Sequence, residues 1–393
     1  MGNHRDTGIV VYGATGYTGR LVVDYMNRQY GVDGEINWAM AGRNLDKLKS
    51  VQDELDIDSR IELIAADMSD KASLKSMVER ASVILTTVGP YQLYGSELVA
   101  ACASAGTDYL DLCGEPAWMK KMIDEHSAAA QNSGARIIFS CGFDSIPFDL
   151  GVFFLQQTAI ARMAKTVSRV KGRVRQMRGS FSGGTLASFN ATMAAAAKDS
   201  QIIETLKDPF ALTSGFVGPS QPKGNQPFFD ETIQSWVAPF IMASINTKNI
   251  HRSNLLLSHQ YGEDFVYDEM LVTGPGDEGE ALANSVAKSS GLGDAQLLPG
   301  EGPTATERAE GGFDILMIGE SDDGREVRIG VTGDCDPGYC STSKMFAESG
   351  VCLFRNPDIA DGGVWTPAPV FGSQLIRRLR NNAGLTFEDE TLE

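Results

Sequence analysis

The chain has 393 residues, 42% of them hydrophobic and 22% charged, and carries a formal net charge of −17. A chain this long outgrows one hydrophobic core, so two domains are expected. The acidic balance argues against a nucleic-acid-binding groove, and no apolar run approaches the roughly 20 residues that cross a bilayer.

The opening MGNHRDTG is polar and lacks the apolar core of a secretory signal. The six cysteines (Cys102, Cys113, Cys141, Cys335, Cys340 and Cys352) form no C-x-x-C pair and no zinc-type cluster with histidine. Reduced thiols and a cytoplasmic location are the expectation, with a redox bridge between Cys335 and Cys340 as the alternative.

Strands and helices alternate through the first 150 residues. Residues 8–12 read as a buried strand, and 18–30 as a helix with Leu21, Val22, Tyr25 and Met26 on one stripe. Strands at 36–41, 61–66, 82–88, 109–112 and 135–140 follow, separated by helices at 45–55, 71–81, 95–105 and 119–132. Such alternation predicts a doubly wound parallel sheet. Beyond about residue 150 the pattern changes. A basic strand is expected at 167–178, a helix at 185–198, and a long Gly/Pro/Phe-rich loop or flap over 208–232. A helix at 236–250, a strand at 265–273 and a helix at 279–290 come next. Residues 313–321 and 325–333 flank Asp322-Asp323-Gly324, a hairpin turn. This half reads as an α+β domain built on a mainly antiparallel sheet.

The stretch GATGYTG, residues 13–19, follows the first strand and opens the first helix, the setting of a dinucleotide fingerprint. Gly13 permits a tight turn, Gly16 lets backbone N–H groups approach a pyrophosphate, and Gly19 lets helix pack on strand. The helix N-terminus adds a positive dipole. No carboxylate stands at the end of the second strand to bind a ribose 2′-hydroxyl. Gly42 and Arg43 stand there instead, and a guanidinium suits a 2′-phosphate, so NADP(H) is favoured over NAD. Asp67, ending the third strand, either touches the adenine or caps the next helix. Tyr91 and Tyr94 follow the fourth strand and face the expected nicotinamide region, as proton donors or as packing. Glu115 and Asp144, after the fifth and sixth strands, are candidates for general acid or base; capping and turn roles are the alternative. Phe181-Ser182-Gly183-Gly184-Thr185 reads as an anion site or as a flexible strand-to-helix connection. Arg169, Lys171, Arg173, Arg175 and Arg178 share a strand and read as a solvated face.

The stretches VVYGATGYTGRL, AMAGRNLDKL, TTVGPYQLYGSELVAACASAGTDYLDLCGE, IIFSCGFDSIPFDLG and SFSGGTLAS resemble the saccharopine dehydrogenase-like oxidoreductases, in particular the branch with mycobacterial trans-acting enoyl reductases. The resemblance implies a Rossmann-type domain from residues 1–150 plus about 340–393, enclosing a substrate or dimerisation domain over 151–339. It places Gly13, Thr15, Gly16, Tyr17, Thr18, Arg43, Val88, Gly89 and Pro90 on the cofactor, and the segment from Tyr339, with a helix at 342–352, as the return to the first domain. The implied activity is hydride transfer to a C=C, C=N or C=O bond of a small or lipid-like substrate. For a lipid, Phe210, Phe216, Phe228 and Phe229 of the flap would cover the apolar tail. A non-catalytic NADP-binding sensor is the alternative. The second sheet could pair across a homodimer.

Overall fold

Parallel strands buried on both faces read as unbroken apolar runs, and β1 (Thr7–Tyr12, TGIVVY) is buried at every position. The structure, a computed structural model, describes residues 5–179, 183–289 and 301–392. After β1 come α1 (Tyr17–Tyr30), β2 (Trp38–Gly42), α2 (Leu45–Glu54), β3 (Glu62–Ala65), α3 (Lys71–Arg80) and β4 (Ala81–Thr86). Then follow α4 (Tyr91–Tyr94), α5 (Ser96–Ala105), β5 (Asp108–Leu110), α6 (Pro116–Ser133) and β6 (Arg136–Ile138). Local chemistry starts and stops these helices. Asn44 accepts the Lys47 N–H at 2.8 Å to open α2, and Asp70 accepts the Ala72 N–H at 3.0 Å to open α3. Pro116 begins α6, and Gly134, at φ +83°, ends it.

The next helix, α7 (Ile146–Met163), is one the sequence periodicity does not mark. It is apolar on nearly every face of its first turns and packs on the strands Gly312–Glu320 and Glu326–Gly333 and on two further helices, so these turns have no stripe to read. Beyond it the chain forms β7 (Arg169–Arg178), α8 (Gly183–Ala196), α9 (Ser200–Lys207), β8 (Phe228–Asp230), β9 (Ser235–Pro239) and α10 (Ala243–Leu256). Then come β10 (Val266–Gly274), α11 (Gly276–Lys288), α12 (Ala305–Glu310), β11 (Gly312–Glu320) and β12 (Glu326–Gly333). A single wide turn, Pro337–Ser341, leads into α13 (Thr342–Arg355), β13 (Gly363–Trp365), α14 (Pro367–Asn382) and β14 (Leu385–Asp389).

Among the described residues, one sheet has the order β13-β6-β5-β4-β1-β2-β3 and is parallel throughout. The other has the order β14-β12-β11-β7-β10-β9-β8 and is antiparallel except where β7 meets β10. This is the doubly wound parallel sheet with a second, mainly antiparallel one. After the wide turn the chain serves both sheets: β13 extends the first beside β6, and β14 extends the second beside β12. One hydrophobic core runs from Ile9 and Val11 through Phe148 and Met345 to Ile315 and Met317. No helix among the described residues is long and apolar enough to cross a membrane.

Three expectations change. The helix expected at 236–250 is two elements, because Trp236-Val237-Ala238 pairs with β10 and Pro239 ends the strand before α10 begins. The basic stripe of β7 is only partly solvated: Arg175 and Arg178 are exposed, while Arg169, Lys171 and Arg173 turn inward to ion-pair. Arg173, 1% exposed, holds Asp230 at 2.7 Å and Asp268 at 2.9 Å. Arg169 also meets Asp268, Lys171 meets Glu320, and Arg175 bridges Asp314 and Glu390. Cys335 and Cys340 are joined as a disulfide, their Cα atoms brought to 5.9 Å by the wide turn; the other four cysteines are free and buried.

Candidate active site

The three glycines of the first turn divide the work of a dinucleotide site. Gly13 sits at φ +92°, a conformation that side chains disfavour. A Cβ at Gly19 would lie 2.1 Å from the Gly13 carbonyl oxygen, so only glycine lets α1 approach β1 this closely. Around Gly16 the nearest atom to such a Cβ is the Gly13 oxygen at 3.4 Å, and the residue is exposed. No side chain caps α1, leaving its first N–H groups toward open space. A pyrophosphate fits this cradle. Thr15, Tyr17 and Thr18 lie half-buried around it. Tyr17 stacks edge-on against Tyr339 at 5.1 Å and accepts a hydrogen bond from Arg308 at 2.8 Å.

Arg43 lies exposed between β2 and α2, with no ion-pair or hydrogen-bond partner among the described residues. The next helix is capped by Asn44, so the guanidinium is not needed to open it. Asp67 does not cap α3, which Asp70 opens. Its Oδ1 instead accepts the Ser69 N–H and hydroxyl at 2.8 and 2.7 Å, and these bonds hold the carboxyl below its ordinary range. Val88 sits against Gly13, where a Cβ on that glycine would meet its methyl at 2.8 Å. The Gly89–Pro90 peptide bond is cis.

At the carboxyl ends of β4, β5 and β6 lies a cavity of about 430 Å³, the position where open α/β sheets bind ligands. Its floor comes from Thr87, Gly89, Tyr91, Cys113, Ser140 and Asp144, with Thr18 at the cofactor side. Its cover comes from α8 (Thr185, Ser188, Phe189, Met193), Leu206 of α9, Ile245 of α10 and Tyr339 of the wide turn. The expected flap, 208–232, contributes nothing to this lining. Phe210 packs on His251 at 4.4 Å, and Phe216 on His259 at 4.3 Å, so the aromatic loop is pinned to α10 and the residues after it. Of the Phe181–Thr185 stretch, Phe181 and Ser182 lie outside the described residues. Thr185 bonds the Tyr339 hydroxyl at 3.1 Å.

The three acid–base candidates part company here. Glu115 is buried, and its two carboxylate oxygens accept the N–H groups of Tyr91 (2.9 Å) and Gln92 (2.7 Å), opening the short helix α4. Tyr91 turns its ring to the cavity, but its hydroxyl donates to the Thr86 carbonyl and accepts from the Leu112 N–H, both at 3.1 Å. Burial raises that hydroxyl well above the ordinary tyrosine range. Tyr94 is exposed and absent from the lining. Asp144 differs from all of these. It is the one charged side chain among the described lining residues, and it has no hydrogen-bond or ion-pair partner among them. Burial, with no opposing charge, pushes its carboxyl up to about 6.

Sequence reasoning missed Asp111. Fully buried, it accepts from Cys113 N (3.0 Å), Ser140 N (2.9 Å) and the Tyr109 hydroxyl (2.9 Å), lacing the ends of β5 and β6 beneath the cavity. It stands inside the YLDLCGE stretch, but its partners arrive from a different strand. Thr342 was also missed: it receives the Phe143 N–H at 2.9 Å across 199 residues of chain.

Residues 9–138 match the family model described as the saccharopine dehydrogenase NADP binding domain. A relative in Mycobacterium ulcerans named trans-acting enoyl reductase is 34% identical over 406 residues, covering 95% of this chain and 96% of that one. In Mycobacterium tuberculosis one relative of that name is 34% identical over 405 residues, and another relative is 36% identical over 404, with the same coverage of both chains. Among solved structures, the saccharopine dehydrogenase of Saccharomyces cerevisiae superposes with a TM-score of 0.51 at 10% identity, covering 98% of this chain and 100% of its own. The homospermidine synthase of Legionella pneumophila gives 0.52 at 9%, covering 98% and 91%. These two likenesses show the shared fold.

Proposed function

This chain belongs to the saccharopine dehydrogenase-like family, in the branch of the trans-acting enoyl reductases, and we propose that it reduces the C=C bond of a lipid-like enoyl substrate with NADPH. It is an oxidoreductase that uses a nicotinamide dinucleotide. The observation that carries the finer reading is the cavity: a space whose cover sets Phe189, Met193, Leu206 and Ile245 among uncharged polar groups, with the unpartnered Asp144 as its only charge among the described residues. Phe189, Met193, Leu206 and Ile245 suit an acyl chain, and the described lining residues include no cation that would meet the carboxylates of an amino-acid substrate.

The bound dinucleotide would supply the hydride. The chain's own part begins at the N–H groups of α1, which would hold the pyrophosphate, and at Arg43, which would fork onto the 2′-phosphate. Thr87 and Gly89 line the floor beside this cradle. As hydride adds to one carbon of the double bond, the electron pair moves toward the other, and Asp144 donates a proton there. The carboxylate left behind takes a proton back from solvent. The apolar cover keeps water from the developing charge.

Consumption of NADPH across enoyl, imine and carbonyl acceptors tests the reading. Turnover confined to enoyl compounds is expected. NADPH binding with turnover of no acceptor class, or turnover preserved in Asp144→Asn, overturns it.

A further inference from the structure

A serine at the start of a helix ordinarily accepts a hydrogen bond from the first free N–H groups. Ser145, which opens α7, makes no such cap. Its hydroxyl instead donates to Asn246 Oδ1 at 3.2 Å and accepts from Asn249 Nδ2 at 2.8 Å, both on α10. The other hand of Asn246, its Nδ2, donates to Glu269 on β10 at 3.0 Å, and Glu269 also receives the Tyr267 hydroxyl at 2.7 Å. Ser145, Asn246, Asn249, Tyr267 and Glu269 are all essentially inaccessible to solvent. A polar chain of this kind is costly to bury, and here every link but one is made: among the described residues only Asn249 Oδ1 in this network lacks a hydrogen-bond partner.

The chain ends one residue from Asp144. The turn Gly142–Ser145 is held on its other side by the Phe143 N–H on Thr342 Oγ1, 2.9 Å away. Asp144 thus sits between two anchored neighbours while its own carboxyl has no hydrogen-bond or ion-pair partner among the described residues. The same helix that carries Asn246 also turns Ser244 and Ile245 into the cavity. One element therefore lines the substrate space and fixes the backbone beneath the carboxyl.

We propose that Asn246 is a positioning residue for the proton donor. Through Ser145 it sets where the Asp144 carboxyl stands, and Glu269 sets which way the Asn246 amide faces. The proposal rests on the reading of Asp144 given above. Glu269 is suited to the part. Burial raises its carboxyl to about 8, against the pull of Asn246 and Tyr267, with Asp268 adding to the rise and Arg173 opposing it. No charged side chain contributes to the shift at Asp144 itself.

The test compares Asn246→Ala, Glu269→Leu and Glu269→Gln with the unmodified chain, by steady-state kinetics on an enoyl acceptor and by carbon-13 NMR titration of the Asp144 carboxyl without cofactor. Asn246→Ala and Glu269→Leu are expected to lower kcat about 10- to 100-fold, the scale of a small misplacement of a reacting group. KM and NADPH affinity should stay near those of the parent, and the Asp144 midpoint should move. Glu269→Gln, which keeps an acceptor for Asn246, should restore both readouts. A folded Asn246→Ala protein with parental kcat and an unmoved Asp144 midpoint overturns the proposal. If that variant does not fold, Ser145→Ala carries the same comparison. Asp144→Asn separates the two ideas: if it retains turnover, the proton-donor reading fails, while a midpoint displaced in Asn246→Ala still shows the positioning.

Discussion

Two turns meet at the cavity, and they are built in opposite ways. Gly13–Gly19 acts through its backbone: a left-handed glycine, a vacant space at Gly16 and a contact at Gly19 that tolerates no Cβ. Everything it needs lies within seven consecutive positions. Gly142–Ser145 acts through one side chain, and its geometry is held by Asn246, Asn249 and Thr342, each about a hundred residues or more away. A phosphate cradle is a local solution that glycine spacing can encode. A carboxyl kept unpaired and half-desolvated is a tertiary one.

The largest effect should come from breaking the second turn at its functional atom. Asp144→Asn keeps shape and polarity but cannot supply a proton, so kcat should fall by about 10²- to 10⁴-fold, the ordinary contribution of a general acid. NADPH binding, followed by fluorescence quenching, should be retained because the first turn is untouched. In the unmodified enzyme the rate should fall as pH rises through about 6, where Asp144 loses its proton. An unchanged pH profile in Asp144→Asn would assign that limb to another group.

The reverse break falls on the first turn. In Gly19→Ala the added methyl would stand 2.1 Å from the Gly13 oxygen, so helix and strand must separate. Such overpacking costs about 1–3 kcal/mol. Thermal unfolding should register it as a lower Tm, and NADPH affinity should fall with it. Gly16→Ala meets only an atom at 3.4 Å, so its loss should appear in NADPH affinity rather than in Tm. Equal Tm losses for the two would erase the division of labour between these glycines.

This difference explains what could be read from sequence. The parallel sheet was legible because β1 to β6 are short apolar runs between helices with clear periods, and the glycine turn because its requirements are steric and contiguous. Asp144 was recognisable as a candidate only by its place after a strand. What distinguishes it from Glu115 is that Glu115 has the α4 N–H groups to hold, and Asp144 has none. That contrast arises from folding. The cover was misassigned for a related reason: the Phe-rich loop has the composition of a lid, yet His251 and His259 draw its rings away from the cavity. The first turns of α7 gave no stripe because they are buried on nearly every side.

The choice of nucleotide sharpens the comparison within the first turn's own neighbourhood. Arg43 is exposed, without a hydrogen-bond or ion-pair partner among the described residues and with a charge interaction toward Asp67, so Arg43→Asp should cost the fold little. Removing one charge-assisted fork is worth about 1.5–3 kcal/mol, so NADPH should weaken by roughly 10- to 100-fold while NADH changes little. Isothermal titration with both nucleotides checks this, and equal losses would reject the assignment.

The smallest effect concerns the support of the second turn. The carboxyl of Glu269 is raised from 4.5 to about 8 by burial, so the folded chain holds a proton that the unfolded chain has released. Between those values folding takes up a proton, and stability declines as pH rises. The contribution is complete below the unfolded value of 4.5 and is lost as pH climbs through about 8. Asp111 and Asp149, both raised to about 7 by burial, act in the same direction. Glu269→Gln cannot ionise, so its Tm should decline less steeply than the parent's between the two values while its hydrogen bonds persist. Parallel Tm curves would mean that Glu269 stays ionised in its buried site, and that Asn246 is held by a charge rather than by a neutral acid.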